Sequence, residues 1–308
     1  MLHTNIKGAR MTSACELVER VTDLPTLPAV YFRVRSVIER PDSFALDVAR
    51  EITCDPGLTM RVLRVANGAL YGMARKVESV MDAIAILGTR QLHHILLATS
   101  ITMAFADVAP PLMNMRRFWR TSLYRALVAR CLAKQSRQGD ADRAFVEGLV
   151  ADIGHLVMYQ EMPDAAERAL QRSIETALPV HVIEREMLGF DYGEVGAELV
   201  AKWQLSRHIE AALRHHTEPL LAADAAVAAA ALHIATRFAA AAFRSESTAT
   251  WVPQIDPGVW QAAGVSDACI AGIKQEADRE LEALAQAILP GFASARRAKN
   301  DATAMSAA

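Results

Sequence analysis

Asp152 and His155 are the residues of this chain whose types and spacing could do chemistry. They lie in Ala144–Tyr159, AFVEGLVADIGHLVMY, three positions apart and so one helical turn apart on the same face. Phe145, Leu149, Ile153, Leu156 and Val157 recur around them at helical spacing, which predicts a single buried helix over the whole stretch. A carboxylate inside such a helix costs several kcal/mol unless it is paired, hydrogen-bonded or bound to a metal. Asp152 therefore requires a partner. The adjacent imidazoles His215 and His216 could join it, but on a regular helix they point about 100 degrees apart, so at most one faces a shared pocket. The alternative without a metal is that Asp152 accepts hydrogen bonds at a helix end, with or without one of those histidines.

The elements that must position these side chains are helices throughout. Leu27, Val30, Tyr31, Val34, Val37 and Ile38 form one apolar face, and a second helix runs to about Thr53. Asp55-Pro56 is a helix start, with an acceptor at the cap and proline at the first position. Ser79 caps the helix MDAIAIL, Gly88 closes it, and the next begins near Arg90. Pro110-Pro111 separates two subdomains. A long helix follows from about Met115 to Gln135, then the Asp152 stretch, then helices near 163–175, 179–188, 191–202 and 206–215. A loop with Pro253, Pro257 and Gly258 leads to a last helix ending near Leu289. No period-two alternation of useful length occurs, so the fold is expected to be an all-α, multi-helix bundle. The boundaries expected are a flexible tail at 1–14, an N-terminal helical subdomain at 15–109 and a second helical subdomain at 112–245. A loop and C-terminal helix at 246–292 pack on that unit, and 293–308 form a disordered tail.

Composition narrows the function. The 308 residues are 52% hydrophobic with a formal net charge of −2, enough for a large core and without a field that selects nucleic acid or anionic membrane. The cysteines at 15, 54, 131 and 269 have no CxxC spacing, and the N-terminus has no apolar leader core, which fits reduced thiols in a cytoplasmic protein. Leu220–Phe243 is mostly alanine and is interrupted by Asp224, His233 and Arg237, so it reads as a packed interior helix and not a membrane span. P-loop, GxSxG, dinucleotide and HExxH signatures are absent.

Four segments together carry a resemblance. LPTLPAV at 24–30, CDPGLTMRVLRVANGALYG at 54–72, AIAILGTRQL at 83–92 and the Asp152 helix occur in this order, and the chain resembles the HDOD family over Leu24–His216. HDOD proteins are bacterial signalling relatives of the HD metal-dependent phosphohydrolases, so the second subdomain is expected to be HD-like. The resemblance also says where ligands should stand. Thr121 falls at the first histidine, Ala151 replaces the histidine of the His-Asp signature while Asp152 stays, and Tyr192 stands where two-metal relatives often carry histidine. Thr236 falls at an expected acid, and RHHTEP keeps His215 and His216. Threonine and alanine supply neither imidazole nor carboxylate. The expectation is therefore no cofactor and no metal, with Asp152 and His215 as the candidates should a metal bind.

These residues lead to a non-catalytic signalling or regulatory module, with Asp152, His155, Tyr192, His215, His216 and Thr121 forming a vestigial HD pocket. Its alternatives are a divergent phosphohydrolase with a rebuilt metal site and a nucleotide sensor using the old cavity. Partners would be a signalling protein acting in trans or a small nucleotide, without nucleic acid or membrane. Asn67 and Tyr71, in the turn after the Asp55 helix, and Trp251 and Trp260, beside the proline loop, are the partner-surface candidates.

Overall fold

In a computed structural model the structure describes residues 13–21, 25–68, 70–71, 75–136, 139–243 and 254–289. Most of the expected terminal tails, and Trp251, lie outside the described residues, whereas Ala14 already belongs to the first helix. All regular structure among the described residues is helical. On the N-terminal side of Pro110 stand α1 (Ala14–Arg20), α2 (Ala29–Ile38), α3 (Ala45–Thr53), α4 (Pro56–Ala66) and α5 (Val80–Ala104). Beyond it come α6 (Met115–Ser136), α7 (Ala141–Val150), α8 (Ile153–Glu161), α9 (Pro163–Thr176) and α10 (Val180–Leu188). The chain continues with α11 (Tyr192–Lys202), α12 (Arg207–His215), α13 (Ala226–Ala242), α14 (Pro257–Ala263) and α15 (Ile270–Ile288).

Local signals set many of these ends. Asp55 accepts the Leu58 amide at 2.9 Å at the start of α4, and Ser79 and Asp82 cap α5 reciprocally. Gly88 takes φ 82° and ψ 162° and kinks α5 there, a conformation that L side chains rarely adopt. The helix at α6 is central, with α7, α13 and α15 packed on it. At one crossing a Cβ on Gly148 would lie 2.6 Å from the Ala126 Cα, so α6 and α7 meet backbone to backbone. Gly154 of α8 does the same against α11, where an added Cβ would fall 2.0 Å from the Tyr192 carbonyl oxygen.

Three expectations are corrected. Ala144–Tyr159 is not one helix: it breaks at Ala151-Asp152 into α7 and α8, with Asp152 at φ −99° and ψ 7°. The break re-aims α8 so that Gly154 can pack into α11. The alanine-rich helix begins only at Ala226, and Leu220 and Leu221 form an exposed 3-10 turn before it. Pro257 and Gly258 belong to the first turn of α14, capped by Asp256, and not to a loop that runs straight to the last helix. The last helix, α15, lies against α6 and also against α4 and α5, so it touches helices on both sides of Pro110-Pro111.

Candidate functional site: a degenerate HD centre

The partner that Asp152 requires is Arg125. Its side chain is 2% exposed and Asp152 is 19% exposed, and the Arg125 Nη2 donates to the Asp152 Oδ2 while Nη1 reaches the Gly148 carbonyl oxygen at 3.4 Å. Arg125 lies one turn beyond Thr121 on α6, in the buried run Ser122–Ala133. Burial pushes the Asp152 carboxyl up, but the Arg125 guanidinium, with His155 and His216, outweighs it and holds the group below the ordinary carboxylate range. The break between α7 and α8 brings the carboxylate into this position. In an unbroken helix it would stay inside the apolar face.

His155 has a different partner. Its Nε2 lies 3.1 Å from the Oε1 of Glu184, which is fully buried on α10, and the Glu184 Oε2 accepts the Tyr192 amide at 3.1 Å. Burial disfavours the imidazolium, yet the Glu184 carboxylate more than reverses this and raises the His155 pKa. The His155 ring stacks on Tyr192 with centroids 4.0 Å apart and planes at 22°. On the other side Tyr192 meets His216: the Nε2 lies 3.2 Å from the Tyr192 hydroxyl, and the Nδ1 lies 2.6 Å from the Leu213 carbonyl oxygen. The carbonyl can only accept, so the Nδ1 carries the proton and the Nε2 accepts from the tyrosine. Burial drives the His216 pKa down to about 4, which fits this neutral form. The His216 carbonyl oxygen in turn accepts from His233 Nδ1 at 2.8 Å.

Of the residues singled out from sequence, the fold brings together Asp152, His155, Tyr192 and His216. His215 ends α12 and makes none of these contacts. Thr121 is half-buried beside Arg125, Ala151 is fully buried, and the Thr236 hydroxyl is buried without a hydrogen-bond partner. Arg125 and Glu184 were the residues the sequence reading missed. The signal for Arg125 was the one used for Asp152, a charge inside an apolar helical run, whereas Glu184 sits in an ordinary amphipathic helix and gave none.

These residues do not fit a metal centre. The Asp152 carboxylate already faces a guanidinium, which would repel a divalent cation, and each His216 nitrogen has a protein partner, as does His155 Nε2. Among the described residues no group of three or more histidine, cysteine, aspartate or glutamate side chains is placed to hold a metal ion. An ion would have to displace Arg125.

The surface candidates have roles inside the fold. Asn67 donates to the Leu63 and Val77 carbonyls and accepts the Val77 amide, each at 2.8 Å, so it ties the end of α4 to the segment that leads into α5. Tyr71 is half-buried with the Arg130 guanidinium 5.3 Å from its ring centre. Trp260 of α14 packs edge-on against Phe238 of α13, with centroids 6.3 Å apart.

Helical architecture and a His-Asp centre in which only the acid survives define an HD-type domain with a degenerate centre. The HDOD domain profile matches residues 24–219, and the chain belongs to the HDOD family. A curated relative, an uncharacterized protein of Treponema pallidum (strain Nichols), is 25% identical over 210 residues, or 67% of this chain; the chain spans only 40% of that relative's length. A solved HDOD domain protein of unknown function from Geobacter sulfurreducens is 24% identical with a TM-score of 0.68, covering 88% of this chain and 98% of that one. A solved Shewanella amazonensis SB2B protein, named as a candidate phosphohydrolase, gives 23% identity and a TM-score of 0.70 over 91% of this chain and all (100%) of the other. At these identities the solved structures speak for the fold. No helix among the described residues is long and apolar enough to cross a membrane.

Proposed function

We propose that this chain is a non-catalytic signalling module that works by binding, through a protein partner in trans or a small ligand, and that it resides in the cytoplasm. The observation that carries this reading is the Arg125–Asp152 pair, in which a guanidinium supplies the positive charge beside the surviving signature acid. A fixed side-chain cation satisfies Asp152 electrostatically but offers no open coordination position and no activated water. The reading keeps the expected organisation, an N-terminal subdomain at 15–109 and an HD-like one at 112–245, with 246–292 packed on the latter and its helix α15 also against α4 and α5.

The test is metal content by mass spectrometry on untagged protein, before and after incubation with iron, manganese or zinc, followed by a phosphodiester hydrolysis assay. Substoichiometric metal and no turnover are expected. Near-stoichiometric metal, with turnover that disappears in Asp152→Ala, would overturn the proposal in favour of a divergent phosphohydrolase.

A further inference from the structure

A cavity of about 440 Å³ opens where α2, α5, the start of α7 and the α11–α12 connection converge. It shares no lining residue with the Asp152 cluster. The volume lies within the range of small-molecule sites. Its wall carries the guanidinium-bearing residues Arg35, Arg90 and Arg143, and the ring of His93, which stacks on Tyr31 at 5.8 Å between centroids.

The charges in it are unequally satisfied. Arg35 is held on both sides, by Glu39 at 2.8 Å and by the Gln204 carbonyl oxygen at 2.7 Å. Arg90 is 84% exposed and its nearest acid, Asp140, is 4.0 Å away. The Asp140 Oδ1 accepts the Asp142 and Arg143 amides at the start of α7, and its Oδ2 is the oxygen that faces Arg90. The Arg143 Nε forms an ion pair at 3.3 Å with the buried Glu147 carboxylate, which leaves the N–H groups of its two Nη atoms. Two guanidinium groups flanking Asp140 thus have donors to spare. Burial pushes His93 down to about 4, so at neutral pH the formal charges of this wall are those of Arg35, Arg90 and Arg143 against Glu39 and Asp140, with one positive charge in excess.

The wall is also built under strain. Gln204 holds φ 54°, a left-handed conformation unusual for a residue other than glycine, and it does so where its carbonyl accepts Arg35. Its neighbours fasten the same segment to the N-terminal region: Lys202 Nζ donates to the Val18 carbonyl oxygen and Trp203 Nε1 to that of Pro25, both at 2.9 Å. A ligand in the cavity would bridge helices on either side of Pro110-Pro111.

We propose that this cavity binds a small phosphorylated molecule, of nucleoside monophosphate size or below, with its phosphate held by Arg90 and Arg143 and its remainder against the His93–Tyr31 wall. Forked N–H donors match phosphate oxygens, and the half-buried His93 ring, backed by the fully buried Tyr31, lines the cavity beside them. The inference deepens the small-ligand arm of the proposed function, and because it is tested by binding and not by metal or turnover, either can fail alone.

The experiment is isothermal titration of the full chain with AMP, GMP, ribose 5-phosphate and inorganic phosphate, with adenosine and citrate as comparisons. At least one phosphorylated probe is expected to bind, with its non-phosphorylated counterpart or citrate at least about tenfold weaker, and binding should weaken as salt is raised. Arg90→Ala, at an exposed position, should weaken it about tenfold without moving Tm. Arg143→Gln should weaken it further, and hydrogen exchange at 202–206 should slow with ligand. Absence of binding by every phosphorylated probe up to about 10 mM overturns the proposal. So does binding that both arginine variants leave unchanged, or adenosine binding as tightly as AMP.

Discussion

The guanidinium of Arg125 on α6 and the carboxylate of Asp152 at the α7–α8 break form a direct ion pair across 27 residues of sequence. Asp152, which the HDOD resemblance aligns with the acid of the HD signature, is half of a buried salt bridge. The helix break positions the carboxylate for that pairing, and the guanidinium keeps it ionised.

Separating the pair should be more damaging than removing it. Asp152→Asn or Arg125→Met alone leaves one buried charge uncompensated, and each should cost about 3–5 kcal/mol in urea unfolding. The double variant should recover a large part of that loss, because two neutral side chains need no counter-charge. Equal or additive losses would show that the two groups do not depend on each other.

Stability should fall on both sides of neutrality for separate reasons. His216, like His93 and His181, has its folded pKa pushed down to about 4 by burial. The unfolded chain takes up protons at these positions near 6.5, so stability is fully present above that pH and is lost as pH falls toward 4. His155 runs the other way: burial opposes its charge, but Glu184 raises its folded pKa, and its contribution is full below 6.5 and lost as pH rises through the raised value. NMR titration of the His155 ring should show that pKa drop in Glu184→Gln. A His155 pKa unmoved by that change would disconnect the two groups.

Two glycines on helices should respond in opposite directions to alanine. Gly154→Ala places a methyl group 2.0 Å from the Tyr192 carbonyl oxygen, so α8 must shift off α11 at a cost of about 1–3 kcal/mol or more. Gly272 in α15 has nothing within 4 Å of an added Cβ, and Gly272→Ala should stabilise by about 0.5–1 kcal/mol. Thermal melts of the two variants decide this.

Asn67→Ala should destabilise the N-terminal helices by about 1–3 kcal/mol, since it strips the Val77 amide and carbonyl of their partner. Asn67→Asp keeps the acceptor for the Val77 amide but loses the donor, and should fall between the two. A chemical denaturation series reads the order, and an Asn67→Ala variant as stable as the parent would show that its hydrogen bonds to Val77 do not hold the turn.

What the sequence by itself determined was whatever a few neighbouring residues can encode. Asp55-Pro56 and Ser79 start helices, and helical periodicity with no strand pattern fixes the all-α class, while Gly88, expected to close a helix, kinks the continuous α5. It also identified Asp152 as a charge in need of a partner, and the resemblance placed Ala151 where the signature carries histidine. The partner itself was decided only by tertiary structure. Arg125 and Asp152 meet because Gly148 lets two helix backbones touch, and the choice of His216 over His215 depends on how α12 is rotated against α11. Such contacts join residues far apart in the chain, up to 184 positions for Lys202 and Val18 beside the cavity wall. Local propensity acts over one or two helical turns, whereas the pairing of buried charges is set by the packing of whole helices.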